Sequence, residues 1–294
     1  MRHTIIEHIS KNGIRFHHSI SIYKNNRIDG LAPETHDMFE IFLLLNGEID
    51  YKIEGEYYHL TSMNAIIIPP NKLHSIEINT SKDYERMVLS FSPDLLPSFA
   101  DLPLLTHYQN SPFSSFVISK QLIENFNLYT LMKQCKQLCH QQSKYIDLRF
   151  VSLILQIVEN LNEMVLSLDE TSITSPVKVH KISHDCTRYI NQNLIKSASL
   201  SPQSIAKKLH ISPSHLQHTF KKEMGITLHD YIFNQRMQLA YKLLLQGHTP
   251  QYVANILNYE YYSTFYHNFV KRFHVSPNFY RDKSQINKNN LKNN

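Results

Sequence analysis

Ser201-Pro202-Gln203-Ser204-Ile205-Ala206-Lys207-Lys208-Leu209-His210-Ile211 is echoed 48 residues later by Thr249-Pro250-Gln251-Tyr252-Val253-Ala254-Asn255-Ile256-Leu257-Asn258-Tyr259. The hydroxyl-Pro start, the Ile-Ala or Val-Ala pair and the closing Leu coincide. Past one inserted residue the offset becomes 49: Leu216, Phe220, Lys222, Ile226, Thr227 and Tyr231 fall on Phe265, Phe269, Lys271, Val275, Ser276 and Tyr280. This many spaced coincidences mark an internal duplication, which governs the fold reading before any local pattern does.

Each copy opens with a helix start. The hydroxyl side chain takes an otherwise orphaned backbone N–H, and Pro presets φ at a position that needs no donor. A small Ala then allows close helix contact, and the first helix ends at Leu209 or Leu257. In the first copy Ser212-Pro213 caps a second helix about three residues later. Two short helices joined by a tight turn form a helix-turn-helix, so the chain is expected to carry two of them.

The second helix of each copy divides into two faces. Leu216, Phe220 and Met224, or Phe265, Phe269 and Phe273, repeat every four residues and form the buried stripe. Opposite lie Ser214, Gln217, His218 and Lys221 in the first copy, and Ser263, Tyr266, His267 and Val270 in the second, with Tyr262 at the helix start. Hydrogen-bonding groups near the N-terminus with Lys or Arg near the C-terminus suit a helix in the major groove. Lys221, Lys222, Lys271 and Arg272 are the expected phosphate contacts, together with Lys207 on the preceding helix. Between the copies, Asp230 to Leu245 has Ile232, Met237, Ala240, Leu244 and Leu245 at helical spacing. Such a helix would hold the two units apart, about one DNA turn of 34 Å.

Charge points the same way. Residues 178–294 hold 16 Lys and Arg against 5 Asp and Glu, a net of +11, while the preceding residues hold 14 against 20, a net of −6; together they give the whole-chain +5. A basic half suggests a polyanionic partner, though charge alone does not separate nucleic acid from a membrane surface.

The first hundred residues read as antiparallel strands. Phe39-Glu40-Ile41-Phe42-Leu43-Leu44-Leu45 is stopped by Asn46-Gly47; Ile49, Tyr51 and Ile53 then alternate with polar residues up to Gly55. Ala65-Ile66-Ile67-Ile68 ends at Pro69-Pro70, and Met87, Leu89 and Phe91 alternate again. A barrel or sandwich is expected. From Ser119 to Leu168 the spacing turns helical, with Leu128, Leu131, Cys135 and Leu138 on one stripe and Ile154, Val158, Leu161 and Val165 on another. These helices either pack back onto the strands or pair with a second copy. Residues 169–176 are polar and end in Pro, a linker pattern that puts the boundary near residue 175.

Residues 178–281 resemble the DNA-binding domain of the AraC/XylS family of bacterial regulators. The resemblance rests on Ser204-Ile205-Ala206-Lys207-Lys208-Leu209, on the run from Ser212 to Gly225, on Arg236, and on Phe265-Tyr266-His267-Asn268-Phe269-Val270-Lys271-Arg272-Phe273 with Val275-Ser276-Pro277. It implies base contacts at Ser214, Gln217 and His218 in the first unit and at Tyr262, Ser263 and His267 in the second. The family usually has Gly-Phe where Asn258-Tyr259 stand and Gly where His274 stands; Asn tolerates a left-handed backbone, whereas His does so at greater cost. Arg is common where this chain has His218 and His267, which would make affinity depend on pH. The first unit, with Gln217, His218 and Lys221, is expected to carry most of the sequence discrimination.

Residues 15–95 resemble the cupin-like sensor barrel of such regulators through Thr35-His36-Asp37-Met38-Phe39-Glu40 and Ile68-Pro69-Pro70-Asn71-Lys72-Leu73-His74-Ser75. The resemblance implies effector contacts at His36, Glu40 and His74; the barrel interior also offers Tyr51, and a sugar is among the polar effectors that such a lining suits. Cupin enzymes bind metal through a His and Glu cluster. Here Glu34 replaces the second histidine, so no metal or other cofactor is expected. Cys135, Cys139 and His140 lack a fourth ligand and read as free thiols on a helix.

The fold class is therefore α+β: an antiparallel cupin-like barrel at 1–118, a helical segment and linker at 119–175, an all-α double helix-turn-helix domain at 176–284 and a polar tail at 285–294. No run approaches the roughly 20 apolar residues of a membrane span, and the N-terminus lacks the apolar core of a signal peptide. Few, scattered cysteines fit a reducing compartment. The expected protein is a cytoplasmic, non-enzymatic regulator, more an activator than a repressor. Its expected partners are double-stranded promoter DNA, a small-molecule effector, RNA polymerase and a second copy of itself, with no membrane. The rival from another class is a cupin-type metalloenzyme with an accessory basic domain.

Overall fold

The computed structural model describes residues 2–10, 12–22, 33–78, 84–96, 115–167, 176–195 and 197–281. The chain divides into two compact units, Met1–Val179 and His180–Asn294. Residues 169–175 of the expected linker and the expected tail at 285–294 lie outside the described residues.

The first unit contains strands β1 (Arg2–Ser10), β2 (Ile14–Ile22), β3 (Phe39–Asn46), β4 (Glu48–Ile53), β5 (Glu56–Thr61), β6 (Asn64–Ile68), β7 (His74–Ile78), β8 (Tyr84–Phe91), β9 (Val117–Ile118) and β10 (Lys178–Val179). They form a six-stranded sheet in the order β1-β2-β8-β3-β6-β9 and a four-stranded sheet in the order β10-β5-β4-β7. All the pairings are antiparallel. The closed barrel expected from sequence is thus corrected to two open sheets among the described residues. One edge of each sheet is a strand of two residues, β9 or β10, and the other is longer: β1 with nine residues and β7 with five.

Burial explains the sequence pattern. Phe42 and Leu44 of β3, Ile66 and Ile68 of β6 and Tyr84 of β8 meet Ile49, Tyr51, Ile53, Tyr58, Leu60 and Ile76 of the smaller sheet in one apolar layer. The opposite face of the larger sheet, with Phe39, Ile41, Leu43, Ile67, Met87, Leu89 and Phe91, joins a second layer made with helices. Strand β3 is therefore covered on both faces and reads as a continuous apolar run, whereas β4 alternates because one of its faces is open. Glu54 and Gly55 both have positive φ, 52° and 88°, as a two-residue hairpin between β4 and β5 requires.

The helices of the second layer are α1 (Lys120–Asn125), α2 (Leu128–Leu138) and α3 (Ile146–Ser167). Leu128, Leu131, Cys135 and Leu138 of α2 and Phe150, Ile154, Val158 and Leu161 of α3 lie in the same buried cluster as Ile14, Phe16 and Phe39. Of the two packings left open by sequence, these stripes take the one against the sheet. Each such side chain contributes about 1.5–3 kcal/mol by leaving water. Helix α3 is long and apolar enough to pass for a membrane span by length and composition. Its buried stripe belongs to this core, and Glu159 and Glu163 are exposed on its other side. Asp147 ties α3 to the first hairpin, accepting from Ser10 Oγ at 2.5 Å and Asn12 Nδ2 at 2.7 Å beside His8 Nε2 at 3.1 Å.

The second unit is helical: α4 (Lys181–Gln192), α5 (Pro202–Lys208), α6 (Pro213–Met224), α7 (Leu228–Leu245), α8 (Pro250–Ile256) and α9 (Tyr262–Phe273). The duplication appears atom by atom. Ser201 Oγ accepts from Ser204 N at 3.1 Å and Thr249 Oγ1 from Tyr252 N at 3.2 Å. After each short helix comes a left-handed residue, His210 (φ 56°) or Asn258 (φ 54°). The next amide, Ile211 N or Tyr259 N, then reaches back to Ala206 O or Ala254 O at 3.0 Å. This is a Schellman closure, and it fixes the tight turn of each unit.

Helix α7 joins the units and is buried on several sides, through Tyr231, Gln235, Met237, Gln238, Ala240 and Leu244. Its Arg236 donates to Leu257 O at the end of α8 and lies 5.0 Å from the Tyr259 ring centroid. Asn258 Nδ2 donates to Ile195 O, and Ser183 Oγ donates to Glu223 at 2.5 Å, so α4 and the segment after it are fastened to both units.

The end of the second helix differs between the copies. Gly225 closes α6 at φ 75°, and His274 closes α9 at φ 60°. A side chain in this conformation costs about 1–2 kcal/mol that glycine avoids. Replacement His274→Gly should raise the unfolding free energy of the C-terminal unit by about 1 kcal/mol in a denaturant titration; unchanged or lower stability would mean that the His274 ring makes compensating contacts.

Candidate nucleic-acid interface and sensor site

On α6, Leu216, Phe220 and Met224 are buried, with Phe220 edge-on to Tyr231 at 5.5 Å between ring centroids. Ser214, Gln217, His218, Lys221 and Lys222 are exposed on the same helix, and Lys207 is exposed on α5. The N-terminus of α6 is closed by Ser212 Oγ, which accepts from His215 N at 3.2 Å. The expected first reading face is therefore a continuous polar surface held by a buried stripe.

On α9, Phe265 and Phe269 are buried and Phe273 is half-buried, its ring 4.6 Å from Phe269 and 5.5 Å from Tyr241. Ser263, Tyr266, His267 and Lys271 are exposed. Tyr262 and Arg272 are half-buried instead: Tyr262 packs against Phe265 at 6.0 Å, and Arg272 lies 5.6 Å from the Phe273 ring centroid. Tyr261, which the sequence pattern does not single out, is 62% exposed just before Tyr262 at the start of α9. Local pattern does not separate adjacent tyrosines at a helix start; only the angle at which the helix enters the core does.

The residues named in the N-terminal unit do come together. Glu40 on β3 and Tyr51 on β4 face each other across the two sheets, and Tyr51 Oη donates to Glu40 Oε1 at 2.7 Å. His36, in the loop before β3, places Nε2 3.2 Å from Glu40 Oε2 and donates from Nδ1 to Met38 O at 3.0 Å. His74 opens β7 and donates from Nδ1 to Lys72 O at 2.9 Å. Its ring lies 5.0 Å from that of His36 and 6.0 Å from that of Tyr51. Glu34 and His74 exchange backbone hydrogen bonds of 2.9 and 3.0 Å, and Asn71 N donates to His36 O at 2.7 Å. Distant segments are thus tied together at their backbones before any side chain is counted.

Electrostatics keep this corner charged. Burial works against the Glu40 carboxylate, yet the His36 hydrogen bond, the His74 and His36 rings and the Tyr51 hydroxyl outweigh it and hold its pKa at about 2. Burial likewise works against a charged His36, and the Glu40 hydrogen bond and charge raise its pKa regardless. Tyr51 is pushed well above the ordinary phenol by burial and by Glu40, so it remains a donor.

The cysteines are placed otherwise. Burial pushes the Cys135 and Cys139 thiols up to about 12 and about 11, and Cys139 Sγ donates to Cys135 O at 3.5 Å. Protonated thiols of this kind are helix packing groups.

Residues 19–156 match the family model of an AraC-like ligand binding domain, and residues 205–283 match that of a helix-turn-helix domain. The "Probable transcriptional regulator LumQ" of Photobacterium leiognathi is 26% identical over 247 residues, 84% of this chain and 90% of that protein. The lactose operon transcription activator of Staphylococcus xylosus is 22% identical over 250 residues, 84% of this chain and 85% of the relative. The multiple antibiotic resistance protein MarA of Salmonella typhimurium is 32% identical over 99 residues, 33% of this chain and 76% of that protein.

Proposed function

We propose, from the premise that the chain belongs to the AraC family of DNA-binding transcription regulators, that it activates transcription at promoters where both of its helix-turn-helix units read one duplex. The carrying observation is the pair of α6 and α9, each with a buried apolar stripe and an exposed polar face, in the half of the chain with a net charge of +11. In this reading Ser214, Gln217 and His218 contact base edges from α6, and Tyr262, Ser263 and His267 do so from α9. Lys207, Lys221, Lys222, Lys271 and Arg272 neutralise phosphates and set the register. The first face offers hydrogen-bonding groups and the second is mostly aromatic and uncharged, so α6 supplies most of the discrimination.

In the same reading, His36, Glu40, Tyr51 and His74 contact a small-molecule effector in the ligand-binding domain. The effector changes how two protomers present their DNA-binding units, and the chain acts in the cytoplasm as a homodimer, without enzymatic activity and in contact with RNA polymerase. Leu148, Leu155 and Leu166 support the dimer: they are 66%, 38% and 66% exposed, and their spacings of 7 and 11 residues keep them on one side of α3. Of the named relatives, one is a probable transcriptional regulator and one a transcription activator, which supports the choice of activator over enzyme.

Footprinting of the full chain on DNA upstream of its own gene tests the proposal. Sequence-selective protection that weakens as salt is raised is expected. Protection no stronger than on random DNA at every candidate promoter would sink it.

A further inference from the structure

We propose that α9 reads thymine: Tyr262, Tyr266 and Val270 form an apolar strip that packs against thymine 5-methyl groups in the major groove, with Tyr266 as the central contact. The inference deepens the reading of the chain as a DNA-binding regulator and rests on that reading. It starts from the duplication. At the offset of 49 residues, Pro213, Gln217 and Lys221 of α6 fall on Tyr262, Tyr266 and Val270 of α9. The position that carries an amide in the first unit therefore carries a phenol ring in the second, and the cation one turn further on becomes a branched aliphatic side chain.

Helical geometry keeps the three together. At 3.6 residues per turn a spacing of four rotates each by only about 40° from the last, so they run along one edge of the helix, between the buried phenylalanines and the exposed Ser263 and His267. The Tyr262 and Tyr266 ring centroids lie 6.3 Å apart, and the Tyr266 ring stands edge-on to His267 at 5.9 Å. Tyr266 is 37% exposed, and Tyr262 and Val270 are half-buried. The strip is thus rooted against the core with its outer edge in water. A tyrosine held in this way offers a large contact area and has little rotamer freedom left to lose on binding.

The occupant follows from the chemistry of the groove. Every major-groove base edge presents hydrogen-bonding groups, and the thymine methyl is the apolar group among them. A strip without amide or guanidinium groups makes none of the bidentate pairs that Gln forms with adenine or Arg with guanine, whereas it matches that methyl. Lys271, exposed beside Val270, supplies a cation for the flanking phosphate, which suits a nucleic acid better than an apolar protein surface. Tyr262 and Tyr266 are offset by about 6 Å along the helix. That is about two base-pair steps of 3.4 Å, so the strip reaches methyls on more than one base pair. Each methyl withdrawn from water is worth about 4-fold in affinity, less than the hydrogen-bonding readout assigned to α6.

The test uses the full chain. Duplexes are selected by it from random-sequence DNA, and the segment read by α9 is the one whose protection Phe269→Ala removes. Deoxyuridine then replaces thymine in that segment, which deletes the methyl groups and leaves every hydrogen-bonding group in place. Thymine should be enriched there, and each contacted thymine replaced should weaken binding about 4-fold. In Tyr266→Ala and Tyr266→Gln the replacement should have little further effect, whereas Tyr266→Phe, which keeps the ring, should retain the whole thymine preference. Circular dichroism confirms that the variants are folded; Tyr266→Gln, which carries the first unit's own residue at this position, decides the matter if the alanine variant is not. The proposal is overturned if deoxyuridine binds as well as thymine, if the loss is the same in the unsubstituted chain and in Tyr266→Gln, or if Tyr266→Phe abolishes the preference and so makes the hydroxyl the reader. Selection of a defined sequence alongside any of these results leaves the regulator reading standing, and selection of no sequence defeats that reading itself.

Discussion

Phe269→Ala should destabilise the C-terminal unit by about 3–5 kcal/mol, the cost of emptying a buried aromatic site. Phe269 is fully buried, 5.8 Å from Phe265, 4.6 Å from Phe273 and 6.1 Å from Tyr280 between ring centroids. Those rings also pack α9 against α7 and hold Tyr280 after the last helix. Since a domain is stable by only about 5–15 kcal/mol, the loss should lower the melting temperature by more than about 10 °C. Thermal unfolding followed by circular dichroism checks this. A loss below about 1 kcal/mol would mean that the aromatic cluster is not the core of the second unit.

Gln217→Ala should cost about 1–3 kcal/mol of binding at the specific site, some 5- to 150-fold in affinity, while binding to random DNA stays unchanged. Gln217 is exposed on α6 and outside the buried stripe, so the truncation leaves the fold intact. On α9, His267→Ala should cost less, because its surroundings are Tyr262, Tyr266 and Val270 and its contribution is to shape and backbone contact. Titrations of both variants on specific and random duplexes decide the point. Equal losses from the two substitutions would remove the asymmetry between the units, and equal losses on both DNAs would remove direct readout.

The C-terminal unit was legible because its signals are local. The Ser-Pro and Thr-Pro caps, the four-residue stripes and the left-handed turn at Asn258 each concern residues a few positions apart, and the duplication states them twice. Helix α7 was read less completely. Gln235 and Gln238 are buried there, and a stripe of apolar residues does not mark polar side chains enclosed between two packed units.

In the N-terminal unit, strands were legible and closure was not. Whether sheets join at their edges depends on partners far away in sequence, such as β10 pairing with β5 through Lys178 and Tyr57. The packing of α2 and α3 was open for the same reason, since apolar spacing names a buried face and leaves its partner unspecified. Of the sensor corner, the residues were legible and their tautomers were not. The acceptors that fix Nδ1 of His36 and His74 are backbone carbonyls, which no side-chain pattern reveals.

In the proposed complex, two similar units read one duplex together. Hydroxyl-radical footprinting of the full chain on its promoter site measures this most directly. The expected result is two protected segments about one helical turn apart on the same face of the DNA, the one facing α6 weakened by Gln217→Ala and the one facing α9 lost in Phe269→Ala. A single protected segment, or uniform protection that neither substitution alters, would mean that the two units do not read one duplex together.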